Sequence, residues 1–314
     1  MQATETSTGK SDLPLVTIVT PAYNQAEFLS ETIDSALAQD YPHVEYIVID
    51  DGSTDHTSEI LKQYDGRIHW ESQANIGQAA TLNRGWEMGA GEIIGYLSSD
   101  DLLKSNAVSE SVNSLLSNPG ITLVYPDFEL IDAVGNHIRD VKTSEYSEFD
   151  LVVKLICQPG PGAFFWKKYF DLIGGWNDRL TQIPDFEYWL RLSLKGDFKR
   201  IPKVLSSSRV HKSSQSFNIV SVDRAMEPVK VINEHSRFLI GSRLAPWSYK
   251  AKSKSHLLAA RMLYRSGQLL LGSEQLWKSF YKAPLVIFSI EFWHILFNAI
   301  FGKPFHNVFF RMKR

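Results

Sequence analysis

An α/β fold is predicted for this chain: a mixed, mainly parallel sheet flanked by helices, with a helical C-terminal extension. Three observations predict it. Short β-branched runs alternate with segments of helical apolar period in the N-terminal part, and such alternation implies right-handed crossovers between parallel strands. The turns that follow those runs are polar, and two of them carry paired carboxylates. From about Ser221 onward the chain reads as helical throughout. With 314 residues, 44% of them hydrophobic and 22% charged, the sequence can bury a full core and has an ordinary soluble composition.

Leu15–Pro21 (LVTIVTP) is a short apolar run closed by proline, which predicts a buried strand. Leu29, Ile33, Ala36 and Leu37 recur at helical spacing, and Tyr41-Pro42 stops that helix. Glu45–Asp50 (EYIVID) is a second buried strand, and Asp51–Asp55 is turn chemistry leading into a helix through Leu61. Arg67–Glu71 predicts a third strand, Gln78–Met88 a helix, and Glu92–Leu97 a fourth strand. A helix over about Ser105–Ser117 precedes a strand at Ile121–Tyr125. Phe128–Arg139 reads as a hairpin turning at Val134-Gly135-Asn136. Pro159–Gly162 is a loop, Asp185–Leu194 a short amphipathic helix, and Val204–Val210 a strand.

The first residues, MQATETSTGKSD, are polar and read as a disordered tail, not as a signal peptide. No apolar run is long enough to predict a spanning helix; Ala283–Gly302 comes close but carries Glu291 and His294. The lone cysteine, Cys157, precludes an internal disulfide and is expected in the core without a catalytic role. The net charge of −2 hides an asymmetry, because residues 241–314 hold 12 Lys/Arg against 2 Asp/Glu. Two readings of that excess stand: an anionic partner such as a phospholipid surface, or a solvated basic face.

In open parallel sheets ligands bind beyond the carboxyl ends of the strands. That rule gathers Ala22–Gln25, Asp51–Asp55 and Ser98–Asp101 into one candidate site. A carboxylate at the end of the second strand can accept the N3–H of a nucleobase, or it can serve only the turn and the following helix cap. A dinucleotide-binding oxidoreductase would place its glycines after the first strand. The sequence there is PAYNQAEF, with no glycine.

Pro21–Asn24 (PAYN), Asp50–Asp55 (DDGSTD) and Ser98–Asp101 (SSDD) resemble, in order and spacing, the nucleotide-binding half of family-two glycosyltransferases, of the GT-A fold. The similarity continues to about His211, roughly two-thirds of the chain. It implies that Pro21, Tyr23 and Asn24 meet the donor, with Tyr23 on or beside the base, and that Asp51 hydrogen-bonds the base. Asn75, Gly77 and Asn83 match the region lining the nucleotide pocket, with Gly77 equally readable as a glycine for close backbone approach alone. The organisation it implies is a tail over 1–13 and a catalytic domain over 14–220, with a nucleotide half to about 126 and an acceptor half from 127. A helical region over 221–314 follows, as a candidate membrane or oligomer contact.

Paired carboxylates after the fourth strand suit Mg²⁺ or Mn²⁺, which take hard oxygen ligands. The family pattern is Asp-x-Asp-Asp; here Ser98 replaces its first carboxylate. Asp101 is the expected direct ligand, and Asp100 is expected to hold the ribose or a metal-bound water. His211, in RVHKSSQS, matches a position near the metal or diphosphate, and Lys212 is an alternative source of positive charge. Sugar transfer with inversion needs one base for the acceptor hydroxyl and no covalent intermediate. Asp185 of PDFEYWLR matches that base, with Pro184 in place of the family's first acid. Glu187 faces elsewhere and either meets the acceptor or pairs with Arg191.

Gln158 and Trp176 are the remaining acceptor candidates, since a glycine loop and an aromatic face suit a sugar ring, whereas Phe164 and Phe165 are expected inside. The aromatic, basic C-terminus, with Arg311, Lys313 and Arg314, fits a membrane interface, a helical core or a homodimer contact. The expected activity is inverting, metal-dependent transfer from a nucleoside-diphosphate sugar, UDP-sugar favoured, to a hydroxyl of a glycan or lipid-linked acceptor. Polysaccharide or glycolipid synthesis at the cytoplasmic face is the expected setting, with no nucleic-acid partner. The rival readings are a catalytically silent nucleotide-sugar-binding scaffold and a nucleotidyltransferase, which lacks its glycine- and basic-rich loop here.

Overall fold

The computed structural model describes residues 13–211, 220–239 and 241–301, the last four by backbone alone. The tail 1–12, Lys212 and the terminal Arg311, Lys313 and Arg314 lie outside the described residues.

The N-terminal half alternates as its sequence predicts: β1 (Val16–Ala22), α1 (Leu29–Leu37), β2 (Val44–Asp50), α2 (Thr57–Lys62), β3 (His69–Ser72), α3 (Gln78–Met88) and β4 (Ile93–Tyr96). Strands β3-β2-β1-β4 are mutually parallel. All of β1 is buried, which is why its sequence is continuously apolar or small and does not alternate. Pro21 is tolerated at the end of this central strand. The Val19 carbonyl still accepts from Leu97 N on the β4 side, but β4 ends at Tyr96, so no partner there needs an N–H from residue 21.

The second half is less regular: β5 (Leu102–Leu103), α4 (Ala107–Ser117), β6 (Leu123–Ile131), β7 (His137–Val141), α5 (Glu148–Val152), β8 (Phe164–Trp166), α6 (Lys167–Ile173), α7 (Pro184–Ser193) and β9 (Phe198–Arg209). The sheet runs β3-β2-β1-β4-β8-β6-β9-β5, with β7 paired to β6. Parallel pairing returns between β6 and β9, while β8 is antiparallel to both neighbours. Strand β6 runs well past the expected Tyr125. Pro126 does not end it, because the register against β9 shifts there and absorbs the residue that cannot donate. The Phe164-Phe165-Trp166 run is a central strand. Its Phe164 ring lies where a side chain on Gly95 would stand, since a Cβ there would come within 2.6 Å of it.

Two apolar layers enclose the sheet. One packs Ile18, Ile33, Val48 and Val108 between the strands and helices α1 and α4. The other centres on Trp86, Phe165, Tyr188 and Trp189 and continues into Val231, Ile232 and Ala251. Those last residues belong to the C-terminal helices α8 (Val222–Ala225), α9 (Glu227–His235), α10 (Ser248–Arg265), α11 (Leu269–Lys282) and α12 (Ile290–Phe301). The chain beyond Ser221 therefore shares the main core. Helices α10, α11 and α12 add a small core of their own through Leu257, Ala260, Leu276, Phe292 and Ile295. Among the described residues no helix is long and apolar enough to cross a membrane.

Cys157 departs from expectation. It is exposed on the loop before β8, with Sγ 3.4 Å from the Pro159 carbonyl.

Candidate functional site

A cleft of about 510 Å³ opens beyond the carboxyl ends of β1, β2 and β4, lined by Pro21, Tyr23, Asp51, Asn75, Gly77 and Ser99. Leu180, Thr181, Pro184 and Arg224 form part of its lining as well. The three polar loops thus meet one another and the start of α7.

Asp51 is buried, and its carboxylate organises the loop before α3. Oδ1 accepts from Ile76 N at 2.9 Å and Gln73 Nε2 at 2.8 Å, and Oδ2 accepts from Gly77 N at 2.9 Å. A carboxylate offers about four acceptor positions, so one on Oδ2 remains for a ligand. The base-binding and turn-building readings of Asp51 are therefore compatible. Asp50 is engaged by Ser53 N of the turn and by Ser72 Oγ at the end of β3. Gly52 has a positive φ of 77°, and a Cβ there would meet Asn75 N at 2.8 Å, so glycine lets the two loops touch.

Asn24, exposed and at φ 51°, ties the β1 loop to the β2 loop. Its Oδ1 accepts from Thr54 N at 2.8 Å, and its N donates to Ser53 Oγ. Tyr23 stands exposed at the rim. Gly77, Gln78 and Ala79 bring the N-terminus of α3 to the cleft, and the amides of such a first turn favour an anionic group; Gly77 N is already given to Asp51.

The Ser98–Asp101 loop is held from behind by Thr32, whose hydroxyl donates to the Ser99 and Asp101 carbonyls at 3.0 Å each. Asp101 is buried and accepts from Arg209 N at 2.9 Å. Burial, and then the neighbouring Asp100 charge, push its carboxyl up to about 8. Asp100 Oδ2 lies 2.8 Å from His211 Nε2, and the His211 ring packs against Phe28. Two crowded carboxylates and an imidazole are a donor set that suits Mg²⁺ or Mn²⁺. They do not form a closed cage of three protein ligands. Mg²⁺ is commonly bound by one or two carboxylates together with substrate phosphates, which fits this pair. Among the described residues, the group of three with ligand atoms within 4.8 Å of one another is Glu129, His137 and Asp140, on the β6–β7 hairpin. The Lys104 ammonium already sits 2.6 Å from Glu129 there.

Asp185 lies in the first turn of α7, with Pro184 at the helix start where a missing N–H costs nothing. Burial raises its carboxyl above the ordinary value. The Tyr96 phenol, at the end of β4, is pushed far up by burial and then by the charges of Asp185 and Asp101. One hydroxyl is therefore within the field of both the β4 loop and the α7 carboxylate.

Several expected contacts are engaged elsewhere. Asn83 and Trp176 bind each other: Asn83 Nδ2 donates to Trp176 O, and Trp176 N donates to Asn83 Oδ1, each at 2.7 Å. Trp176 is buried between Trp86 and Tyr96 rather than presented to an acceptor. Glu187 receives a bidentate pair from Arg191, at 2.7 and 2.9 Å, taking the structural one of its two readings. Gln158 Oε1 accepts from Ser144 N and fixes the loop before β8. Arg209, Arg224 and Glu227 surround the site without a local motif that points to them. Each works across tens of residues.

A family model described as "Glycosyl transferase family 2" matches residues 17–173, half of the chain. The chain belongs to glycosyl transferase family 2. The family match spans β1 to α6 and thus both carboxylate loops. The chain is 30% identical over 253 residues to the chondroitin synthase of Escherichia coli, covering 79% of this chain and 36% of that protein, so it spans about a third of that relative's length. Its fold is similar to S. aureus TarS 1–349 in complex with UDP-GlcNAc, with a TM-score of 0.62 and 15% identity over 86% of this chain and 82% of that one. It is also similar to the mannosyltransferase PcManGT of Pyrobaculum calidifontis in complex with GDP-Man and Mn²⁺, with a TM-score of 0.55, 19% identity and coverage of 95% and 83%. The GT-A type of fold expected from the sequence is thus the fold this family-2 chain has.

Proposed function

We propose that this chain is an inverting glycosyltransferase that moves a sugar from a nucleoside-diphosphate donor, UDP-sugar favoured, to a hydroxyl of a glycan or lipid-linked acceptor in polysaccharide or glycolipid synthesis. One observation carries this reading: a single cleft takes its lining from the Asp51 loop, the Ser98–Asp101 loop and the start of the Asp185 helix. Asp51 offers its remaining acceptor position to a base N–H, with Tyr23 and Asn75 beside it. Asp185 takes the acceptor proton as the oxygen attacks the anomeric carbon, and the bond to the diphosphate breaks with its electron pair staying on phosphate. Burial makes Asp185 a stronger base than a solvated carboxylate. Asp101, with Asp100 and His211 beside it, would hold Mg²⁺ or Mn²⁺, which neutralises charge on the leaving diphosphate when bound.

Calorimetry and turnover with UDP-, GDP- and dTDP-sugars, with and without Mn²⁺, test the reading. Transfer or slow donor hydrolysis with inversion at the anomeric carbon is expected. Donor binding without either reaction would leave the scaffold reading, and no binding at all would overturn the assignment.

The outer faces of the C-terminal helices favour a peripheral place at an anionic bilayer. Leu270 (88%), Phe288 (78%) and Ile290 (89%) are largely exposed, with Trp277, Tyr281 and Trp293 among them. Lys278 and Lys282 lie on the same stretch of chain. Aromatic and leucine side chains beside lysines suit the headgroup boundary.

A further inference from the structure

Part of the cleft lining comes from a segment far along the chain. Arg224 of α8 joins Thr181 and Pro184 in it, and it is the one cation among the described lining residues, against the carboxylates of Asp51 and Asp178. Asp100 and Asp101 place two further acidic side chains on the loop that carries Ser99. An anionic donor entering here meets carboxylates from two loops, so a fixed positive group in the wall has an electrostatic purpose.

Arg224 is incompletely satisfied. Its Nη2 donates to the Thr181 carbonyl at a long 3.4 Å, and its Nε is buried with no partner among the described residues. A guanidinium carries five N–H donors, and leaving a desolvated one unpaired is costly. Yet the segment that carries this side chain is anchored. Glu227, at the next turn, is buried, and its carboxylate accepts from Thr181 N at 2.9 Å, Gln182 N at 2.8 Å and Ile183 N at 3.0 Å. These bonds fasten the α8–α9 segment to the loop that leads into α7. The segment that carries Arg224 is thereby held at the cleft, and among the described residues its guanidinium makes only the long contact to Thr181.

We propose that Arg224 binds the diphosphate of the nucleotide donor and stabilises it as it leaves. This deepens the glycosyltransferase reading and rests on it. A guanidinium matches two phosphate oxygens at once, stays charged through the working pH range and gives stronger hydrogen bonds than a neutral donor.

The test compares UDP with uridine by calorimetry on the full chain at fixed Mn²⁺, in wild type, Arg224→Met and Arg224→Lys. The proposal expects Arg224→Met to weaken UDP by about 10- to 100-fold, the usual loss for a charge-assisted pair, with uridine binding unchanged. Arg224→Lys should recover part of the UDP affinity. Unchanged uridine binding also certifies that the cleft is folded. Equal loss of UDP and uridine would make Arg224 a wall residue only and overturn the proposal. So would unaltered UDP affinity with a raised acceptor KM, which would place the anion on the acceptor. Wild-type protein that binds neither ligand would instead overturn the nucleotide-sugar reading itself.

Discussion

His211 Nε2 lies 2.8 Å from Asp100 Oδ2, a contact that joins the β4 loop to the end of β9 across 111 residues. The same two elements are joined beside it, where Arg209 N donates to Asp101 Oδ1 and Arg209 Nε to the Asp100 carbonyl. Arg209 also reaches Glu31 at 2.6 Å and is fully buried. The loop is thus fixed by β9 and α1 before any ligand arrives.

Metal dependence should follow this loop and not the hairpin. Asp101→Ala should remove the Mn²⁺ stimulation of donor turnover, with a loss of about 100-fold or more, since charge neutralisation at a leaving group contributes several kcal/mol. Glu129→Gln, which alters the Glu129–His137–Asp140 group, should leave the Mn²⁺ titration unchanged. The opposite pattern would move the metal to the hairpin.

Asp185→Asn should lower kcat by roughly 10²–10⁴-fold, the usual contribution of a general base. Donor affinity by calorimetry should stay near wild type, because the Asp51 and Asp101 loops are untouched. Near-normal turnover would assign the proton to another group.

The same carboxylate predicts a pH profile. Burial disfavours the ionised form, so the Asp185 pKa is raised from 3.8. A general base acts only when deprotonated. If Asp185 is that base, activity should be complete above the raised pKa and should fall as pH drops through it, at a higher pH than an ordinary aspartate would give. The acid limb of kcat/KM in wild type should vanish in the residual activity of Asp185→Asn. A limb that persists there belongs to another residue.

The nucleotide half was legible because its signals are local. Each of β1, β2 and β4 is an apolar run followed by its own polar loop, and after β2 and β4 the paired carboxylates sit within a few residues of the strand end. Strand β8 was not legible, since three aromatic residues carry no period, and their burial comes from β4 and β6 on either side. The mutual pairing of Asn83 and Trp176 is hidden from the sequence for a related reason. An asparagine and a tryptophan near a predicted cleft look available until a pairing across 93 residues is known. Arg224 and Glu227 lie in what reads as a helical extension, and only the fold brings them to Thr181.

Glu227 should therefore be costly to remove. Glu227→Ala leaves the N–H groups of Thr181, Gln182 and Ile183 without their acceptor. A buried unsatisfied donor costs about 1–3 kcal/mol, and water entering the gap offsets part of it, so a loss of about 2–4 kcal/mol is expected in urea unfolding. Glu227→Gln should not rescue fully, because its amide N–H₂ would face backbone donors. A loss below about 1 kcal/mol would mean that this loop does not depend on the C-terminal helices.

The exposed apolar row offers a last discrimination. Leu270, Trp277 and Tyr281 recur at helical spacing on α11, and all three are exposed although α11 packs Leu276 inward. A solvated face would carry polar residues at those positions. Replacing Leu270, Trp277 and Phe288 together by Glu leaves the α10–α12 core intact, so fold and donor affinity should survive. Sedimentation with vesicles containing anionic lipid should fall by an order of magnitude or more, since three apolar contacts are lost and three repulsive charges gained. Vesicle binding equal to wild type would exclude the bilayer as the partner of this face. A shift from dimer to monomer in sedimentation velocity, without a change in vesicle binding, would assign the face to a second copy of the chain.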